Sequence, residues 1–86
     1  MLSEKLKRLL SLLPDNPGVY QMKAEADAII YIGKAKNLKK RVSQYFLRPQ
    51  AGKVASMVSH VDHFDFSVVS TEKEAFILEM NLIQTH

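Results

Sequence analysis

Gly18-Val19-Tyr20-Gln21-Met22-Lys23, a break at Ala24-Glu25-Ala26-Asp27, and then Ala28-Ile29-Ile30-Tyr31-Ile32-Gly33 decide the fold. Both runs are short and rich in valine, isoleucine and tyrosine, which suit a pleated, half-buried surface. The four-residue connection between them fits an antiparallel hairpin. Upstream, Leu2, Leu6, Leu9, Leu10 and Leu13 recur at helical spacing. Pro14-Asp15-Asn16-Pro17-Gly18 ends that helix, because proline removes an amide donor and restricts the residue before it. Downstream, Asn37 caps a helix running to about Phe46, with Leu38, Val42, Tyr45 and Phe46 as its buried stripe. Val54, Met57, Val58 and Val61 suggest another short helix. His63 to Val69 alternates about Phe64, Phe66 and Val68, which predicts a third strand with one face buried.

Thr71-Glu72-Lys73-Glu74 has the form of a capping box and opens the last helix. Ala75, Phe76, Ile77, Leu78, Met80, Leu82 and Ile83 make that helix apolar around most of its circumference, so it is expected to be central to the core. Together these elements predict one α+β domain over residues 1–86, a small three-stranded antiparallel sheet flanked by helices.

Composition narrows the class. A hydrophobic fraction of 47% and a charged fraction of 24% are those of an ordinary globular domain. No apolar run reaches the length of about 20 residues that a bilayer-spanning helix needs, and Met1-Leu2-Ser3-Glu4 opens straight into an amphipathic pattern with no secretory signal. The chain has no cysteine, which excludes disulfides, a thiolate nucleophile and a Cys-type zinc site and fits a cytoplasmic protein. From Ala28 to Val61 there are seven basic residues (Lys34, Lys36, Lys39, Lys40, Arg41, Arg48, Lys53) and no acidic ones. A one-sign block in a compact domain makes a positive face that attracts a polyanion, although a solvated lysine-rich helix gives the same composition.

Several residues invite chemistry. Glu79 interrupts the apolar stripe of the last helix, where a carboxylate must be paired, be protonated, bind a cation or face a cleft. An ion pair with Arg41 or a lysine is the competing reading. Arg41 and Tyr45, four apart, share a helix face and could meet one phosphate with a guanidinium and a phenol. The alternative is a solvated arginine beside a tyrosine packed in the core. Tyr20 and Tyr31 on neighbouring strands are equally readable as sheet-packing aromatics. Gly33 at the end of its strand would let a backbone or a phosphate come close, with Lys34 supplying charge at that opening. His60 and His63 have only their spacing of three in favour of a metal, and no zinc site is expected.

As an ordered series, Gly18-Val19-Tyr20, Tyr31-Ile32-Gly33-Lys34, Arg41, Tyr45 and Glu79 resemble the GIY-YIG nuclease family. Leu13-Pro14-Asp15-Asn16-Pro17 before the first element, and Glu74-Ala75-Phe76-Ile77-Leu78-Glu79-Met80-Asn81-Leu82-Ile83 near the end, narrow the likeness to its excision-repair members. The resemblance implies a mixed sheet-and-helix nuclease fold, Mg²⁺ or Mn²⁺ as cofactor, and the incision 3′ to a lesion in bacterial nucleotide excision repair. Damaged double-stranded DNA and the damage-loading subunit UvrB are the implied partners, the latter through segments outside this chain. By position, Glu79 matches the metal-binding glutamate and Arg41 the catalytic arginine. Tyr20 and Tyr31 match the two motif tyrosines, and Gly33, Lys34 and Tyr45 match further active-site positions. The chain stops at His86, ahead of the family's Pro-x-Tyr-Asn segment, whose asparagine belongs to the active-site region, so an N-terminal piece of a longer protein is expected.

On this reading Glu79 anchors the cation, Arg41 meets negative charge growing on the phosphate, and Tyr31, supported by Tyr20, is the general base. Lys34, Lys36, Lys39, Lys40 and Arg41 are the candidate DNA contacts. A short excision-repair homologue of the same fold, or a DNA-binding module without catalysis, are the alternatives. A protein–protein adaptor is disfavoured, since the basic block lacks interleaved large apolar residues.

Overall fold

The computed structural model describes residues 2–85 of the backbone and the side chains of residues 2–84. Helix α1 (Glu4–Ser11) opens the chain, with the Ser3 side chain accepting the Leu6 amide. Strand β1 (Gly18–Lys23) is central, with β2 (Ile29–Ala35) on one side and β3 (His63–Val68) on the other, both antiparallel to it. Helices α2 (Leu38–Leu47) and α3 (Gly52–Ser59) lie between β2 and β3 in the chain, and α4 (Glu72–Thr85) follows β3. The expected three-stranded antiparallel sheet with flanking helices is what forms.

The prolines at 14 and 17 do more than stop α1. The first turn of a helix has amides without intrahelical partners. Here Asn37 accepts the Lys40 amide, while the Leu38 and Lys39 amides donate to the carbonyls of Asn16 and Pro14. The Val69 amide donates to the Pro17 carbonyl. The turn thus ties the start of α2 and the end of β3 to the entry of β1.

The main core lies on one side of the sheet. Tyr20, Met22 and Phe64 from the strands meet Leu6, Leu13, Leu38 and Val42, all buried. Val19 points the other way by strand alternation and is also buried, as is Ala75 of α4, which packs against β1 and β2. The expectation that α4 is central to the core is not met. Among its described side chains only Ala75 is buried, and Phe76, Ile77, Met80 and Ile83 are between 44% and 54% exposed. Apolar periodicity records which residues avoid water somewhere, and a three-stranded sheet is too narrow to cover a helix that is apolar all round. The helix start is as expected: Thr71 Oγ1 accepts the Glu74 amide and the Glu74 carboxylate accepts the Ser70 amide.

The β1–β2 connection is a short 3₁₀ turn (Glu25–Asp27) in which Ala26 and Asp27 take positive φ values of 64° and 63°. For residues with a Cβ this region costs roughly 1–2 kcal/mol each. A polar clasp holds the turn. His63 Nε2 lies 2.7 Å from Asp27 Oδ1 and its Nδ1 lies 2.8 Å from Asp62 Oδ2, while Lys5 Nζ donates to Asp62 at 3.0 Å. Both ring nitrogens face carboxylates, which favours the protonated imidazole; the Asp62 hydrogen bond first, then Asp27, raises its pKa above the ordinary 6.5. Asp62 is held below its ordinary 3.8, chiefly by Lys5 and then by His63.

A raised histidine contributes stability that is complete below its unfolded pKa and is lost as pH rises through its folded pKa; a depressed aspartate contributes stability that is lost as pH falls. The clasp is therefore strongest between about pH 4 and 6.5. Urea midpoints from pH 5.5 to 8.5 are expected to fall further for the parent than for His63→Gln, and parallel curves would contradict the clasp.

Candidate active site

Three tyrosines from three elements converge at one point. Tyr20 of the central strand pairs across from Gly33 of β2, and its ring lies where a side chain at 33 would be. A Cβ on Gly33 would fall on Cζ and Oη of Tyr20. Gly33 therefore makes room for the Tyr20 ring. The expected opening of the backbone to a phosphate at Gly33 is corrected accordingly. Tyr31, two residues earlier on the same side of β2, brings its ring centroid to 6.1 Å from that of Tyr20. Tyr45 projects from α2 to 5.9 Å from Tyr20 and 6.2 Å from Tyr31.

Their hydroxyls differ. Tyr20 is only 1% exposed and its hydroxyl shares a 2.9 Å hydrogen bond with that of Tyr45. Burial first, then Tyr45, pushes the Tyr20 phenol far above its ordinary pKa, against the opposing charge of Arg41. Tyr31 is 41% exposed. Burial, then Tyr45, and the negative charge of Glu79 hold its phenol above the ordinary range. Tyr31 is thus the most exposed member of the trio.

The expected strand end at Gly33 is also corrected, because β2 continues to Ala35. Lys34 lies inside the strand, and alternation aims it away from Tyr31 and Gly33 toward α4. Its ammonium sits 4.8 Å from the centre of the Phe76 ring and 4.0 Å from Glu79 Oε1. The Glu79 side chain is 19% exposed and that of Lys34 is 48%. The carboxylate that breaks the apolar stripe of α4 therefore faces a lysine and lies within electrostatic reach of Tyr31, without an ion pair to Arg41. Arg41 is exposed, and its side chain makes no hydrogen bond or ion pair among the described residues. It lines a cleft of about 150 Å³ with Lys34, Ala35, Lys36, Glu72 and Ala75.

Lys36 reaches Glu72 at 3.5 Å on the rim of this cleft. Lys39 and Lys40 are exposed but do not line it. Residues two apart on a helix point about 200° apart, so Lys39 and Arg41 flank opposite edges of the buried stripe of α2. Lys40 instead lines a shallow groove with Ser43, Gln44, Leu47 and Arg48. The two histidines do not meet: His60 Nδ1 lies 2.7 Å from the Ser56 carbonyl oxygen, and His63 belongs to the clasp. Among the described residues no group of three or more His, Asp or Glu side chains is arranged to hold a metal ion. Glu72 and Phe76, absent from the sequence-based set, join the site through α4. Their spacings of seven and three from Glu79 put them on the same stripe, which was the available signal.

An alanine at 33 must displace the buried Tyr20 ring. Gly33→Ala is expected to cost about 1–3 kcal/mol in urea unfolding and to separate the Tyr20 and Tyr45 hydroxyls. Unchanged stability together with unchanged tyrosine side-chain NMR shifts would refute the packing role of Gly33.

Comparison with known proteins places this arrangement. A family model described as the UvrC-like GIY-YIG domain matches residues 16–86. The chain is 59% identical, over its whole length, to UvrABC system protein C of Lacticaseibacillus casei (strain BL23) and 58% identical to that of Limosilactobacillus reuteri (strain DSM 20016). It spans 14% of the length of each of these relatives. Among solved structures it is similar to the GIY-YIG N-terminal endonuclease domain of UvrC from Thermotoga maritima bound to its catalytic divalent cation, magnesium. That match has a TM-score of 0.85 and 44% identity, and covers 98% of this chain and 92% of that one. A tyrosine-to-phenylalanine point mutant of the same Thermotoga domain, also bound to its catalytic divalent cation, matches with a TM-score of 0.85 and 43% identity. The chain belongs to the UvrC-like GIY-YIG domain family.

Proposed function

We propose that this chain is a divalent-metal-dependent endonuclease domain that hydrolyses a DNA phosphodiester, making the 3′ incision of bacterial nucleotide excision repair in the cytoplasm. Damaged double-stranded DNA is its substrate, and UvrB is a partner of the longer protein to which such a domain belongs. The observation that carries the reading is the position of Glu79, a largely buried carboxylate beside both an exposed tyrosine and a basic cleft with an unpaired arginine. A packed core has no use for that combination, and phosphodiester hydrolysis needs each part.

The donor set fits a hard cation that keeps most of its water. Glu79 is a single carboxylate whose oxygens accept no hydrogen bond among the described residues, and its neighbours include the Tyr31 phenol and Lys34. Mg²⁺ takes few protein ligands and retains several waters, which suits one carboxylate; Mn²⁺ suits the same oxygen ligand. When bound, such an ion supplies Lewis-acid charge neutralisation at the phosphate and at the departing 3′ oxygen.

The side chains supply the rest. Water attacks phosphorus, forming one P–O bond as the P–O3′ bond breaks; the Tyr31 phenolate, its own proton given up to solvent, takes the proton released by the water, and the departing 3′ oxygen is protonated from solvent. A phenol is a weak base near neutral pH. Glu79 is one of the charges that hold the Tyr31 proton on, so neutralising Glu79 favours deprotonation. Arg41, free of protein partners, meets charge growing on a non-bridging oxygen, where the interaction is stronger in the transition state than in the ground state. Tyr20 is too buried to touch substrate and acts as a positioning residue, holding Tyr45 through its hydroxyl and Tyr31 through its ring. Lys34 and Lys36 draw the phosphate into the cleft; Lys39 and Lys40, on other faces of α2, serve flanking backbone phosphates.

Glu79→Gln is expected to abolish nicking of a duplex in Mg²⁺ or Mn²⁺ while leaving DNA affinity within about threefold, because hydrolysis loses its cation whereas the basic side chains that hold phosphate remain. Retained cleavage would return Glu79 to a purely structural ion pair. Tyr31→Phe is expected to lower the cleavage rate roughly 10²–10⁴-fold, the usual contribution of a positioned general base, and to remove the rise of rate with pH. Near-normal turnover with an unaltered pH profile would eliminate Tyr31 as the base. Arg41→Ala is expected to slow cleavage about 10²–10³-fold, and nicking by neither parent nor variants would favour a DNA-binding module.

A further inference from the structure

We infer that Lys34 is the resident counter-ion of Glu79 and passes to the substrate phosphate when a divalent cation takes its place, so that cation and phosphodiester assist each other's binding through one side chain. This rests on the proposed role of Glu79 as the cation's anchor. Four observations carry it.

Lys34 is the one ion-pair partner of Glu79 among the described residues, and at 4.0 Å the pair is at the limit of contact, with no hydrogen bond to hold it. The lysine is more than twice as exposed as the carboxylate, so it can leave while Glu79 stays in place. Its ammonium rests over the Phe76 ring at 4.8 Å, a face that stabilises a cation without fixing its direction. Finally, the same side chain lines the cleft that holds the Arg41 guanidinium and Lys36, the latter paired with Glu72. Lys34 therefore stands between an anion it neutralises weakly and a cleft that collects phosphate.

A divalent ion on Glu79 reverses the local field. An ammonium about 4 Å from the carboxylate oxygen is then repelled by the stronger charge, and its four-carbon stem can carry it toward Lys36 and Arg41. A phosphate in that cleft gains a third cation when the divalent ion binds. By linkage, phosphate that draws Lys34 off Glu79 must tighten cation binding by the same factor. Lys34 thus lowers cation affinity in the free domain and raises phosphate affinity in the loaded one. A residue that merely holds α4 in place would do neither, since its loss would weaken both.

The chain has three tyrosines and no tryptophan, and all three tyrosines are in the cluster beside Glu79, so tyrosine-sensitised terbium(III) emission reports cation binding at this site. With the 86-residue chain, Lys34→Met is expected to bind terbium about three- to tenfold tighter than the parent and to bind a short DNA duplex more weakly. Lys73→Met, which removes an equal charge elsewhere on α4, is expected to change terbium affinity less than twofold. Equal or weaker terbium binding by folded Lys34→Met overturns the inference. If Glu79→Gln binds terbium as the parent does, the assignment of Glu79 itself fails, which is a separate result. A measurement without substitution guards against misfolding. In the parent, the Lys34 ¹³Cε NMR signal is expected to move during Mg²⁺ titration with the same midpoint as the Glu79 carboxylate signal, and a stationary Lys34 signal overturns the exchange.

Discussion

The Tyr20 ring lying in the space left by Gly33 is the contact on which the rest of the site depends. A central strand can carry a large side chain over its neighbour only where the neighbour has none. Because β2 offers a glycine at that register, the Tyr20 hydroxyl reaches across the strand to Tyr45 on α2. The same placement brings Tyr31 alongside, so three phenols from β1, β2 and α2 meet without a buried unsatisfied oxygen among the described residues. The precision of the site is a property of the sheet register, which a one-residue slip would destroy.

Around this aromatic centre the charges divide by element. α2 contributes Arg41 from the edge of its buried stripe, and β2 contributes Lys34, with Lys36 just beyond its end. α4 contributes Glu72, Phe76 and Glu79 from one stripe. The turn of residues 14–17 fixes the first of these elements by accepting the leading amides of α2. The placement of Arg41 thus traces back to backbone carbonyls near two prolines, an arrangement in which loop and candidate site are mechanically continuous.

Much of this was legible in the sequence, and the failures have common causes. The hairpin, the Asn37 cap and the Thr71–Glu74 box were readable because each is a local pattern whose partners lie within a few residues. The end of β2 was not: a glycine ordinarily weakens a strand, and only the Tyr20 ring, 13 positions away, explains why the strand runs through it. The centrality expected of α4 failed because periodicity measures how much apolar surface a helix has, whereas burial depends on how much sheet is available to cover it. Glu79 stood out because a carboxylate in an apolar stripe conflicts with its surroundings, but its partner could be either a lysine or Arg41 until the strand phase placed Lys34 toward α4. The spread of Lys39, Lys40 and Arg41 around α2 shows why a run of positive charge in a sequence is not yet a face.

The thin burial of α4 has a consequence of its own. Stability in a folded chain is not uniform, and segments with little buried apolar area open at lower free energy than the core to which they are attached. Ala75 is the one buried side chain described on α4, whereas Tyr20 sits on a strand paired on both sides. The carboxylate and the phenols therefore sit on segments of unequal burial. Transient detachment of the last helix would carry Glu79 away while the tyrosines, held by paired strands, stayed together. Whatever holds α4 down, whether solvent conditions, a bound ion or neighbouring polypeptide, would keep Glu79 beside them without altering a single residue of the sheet.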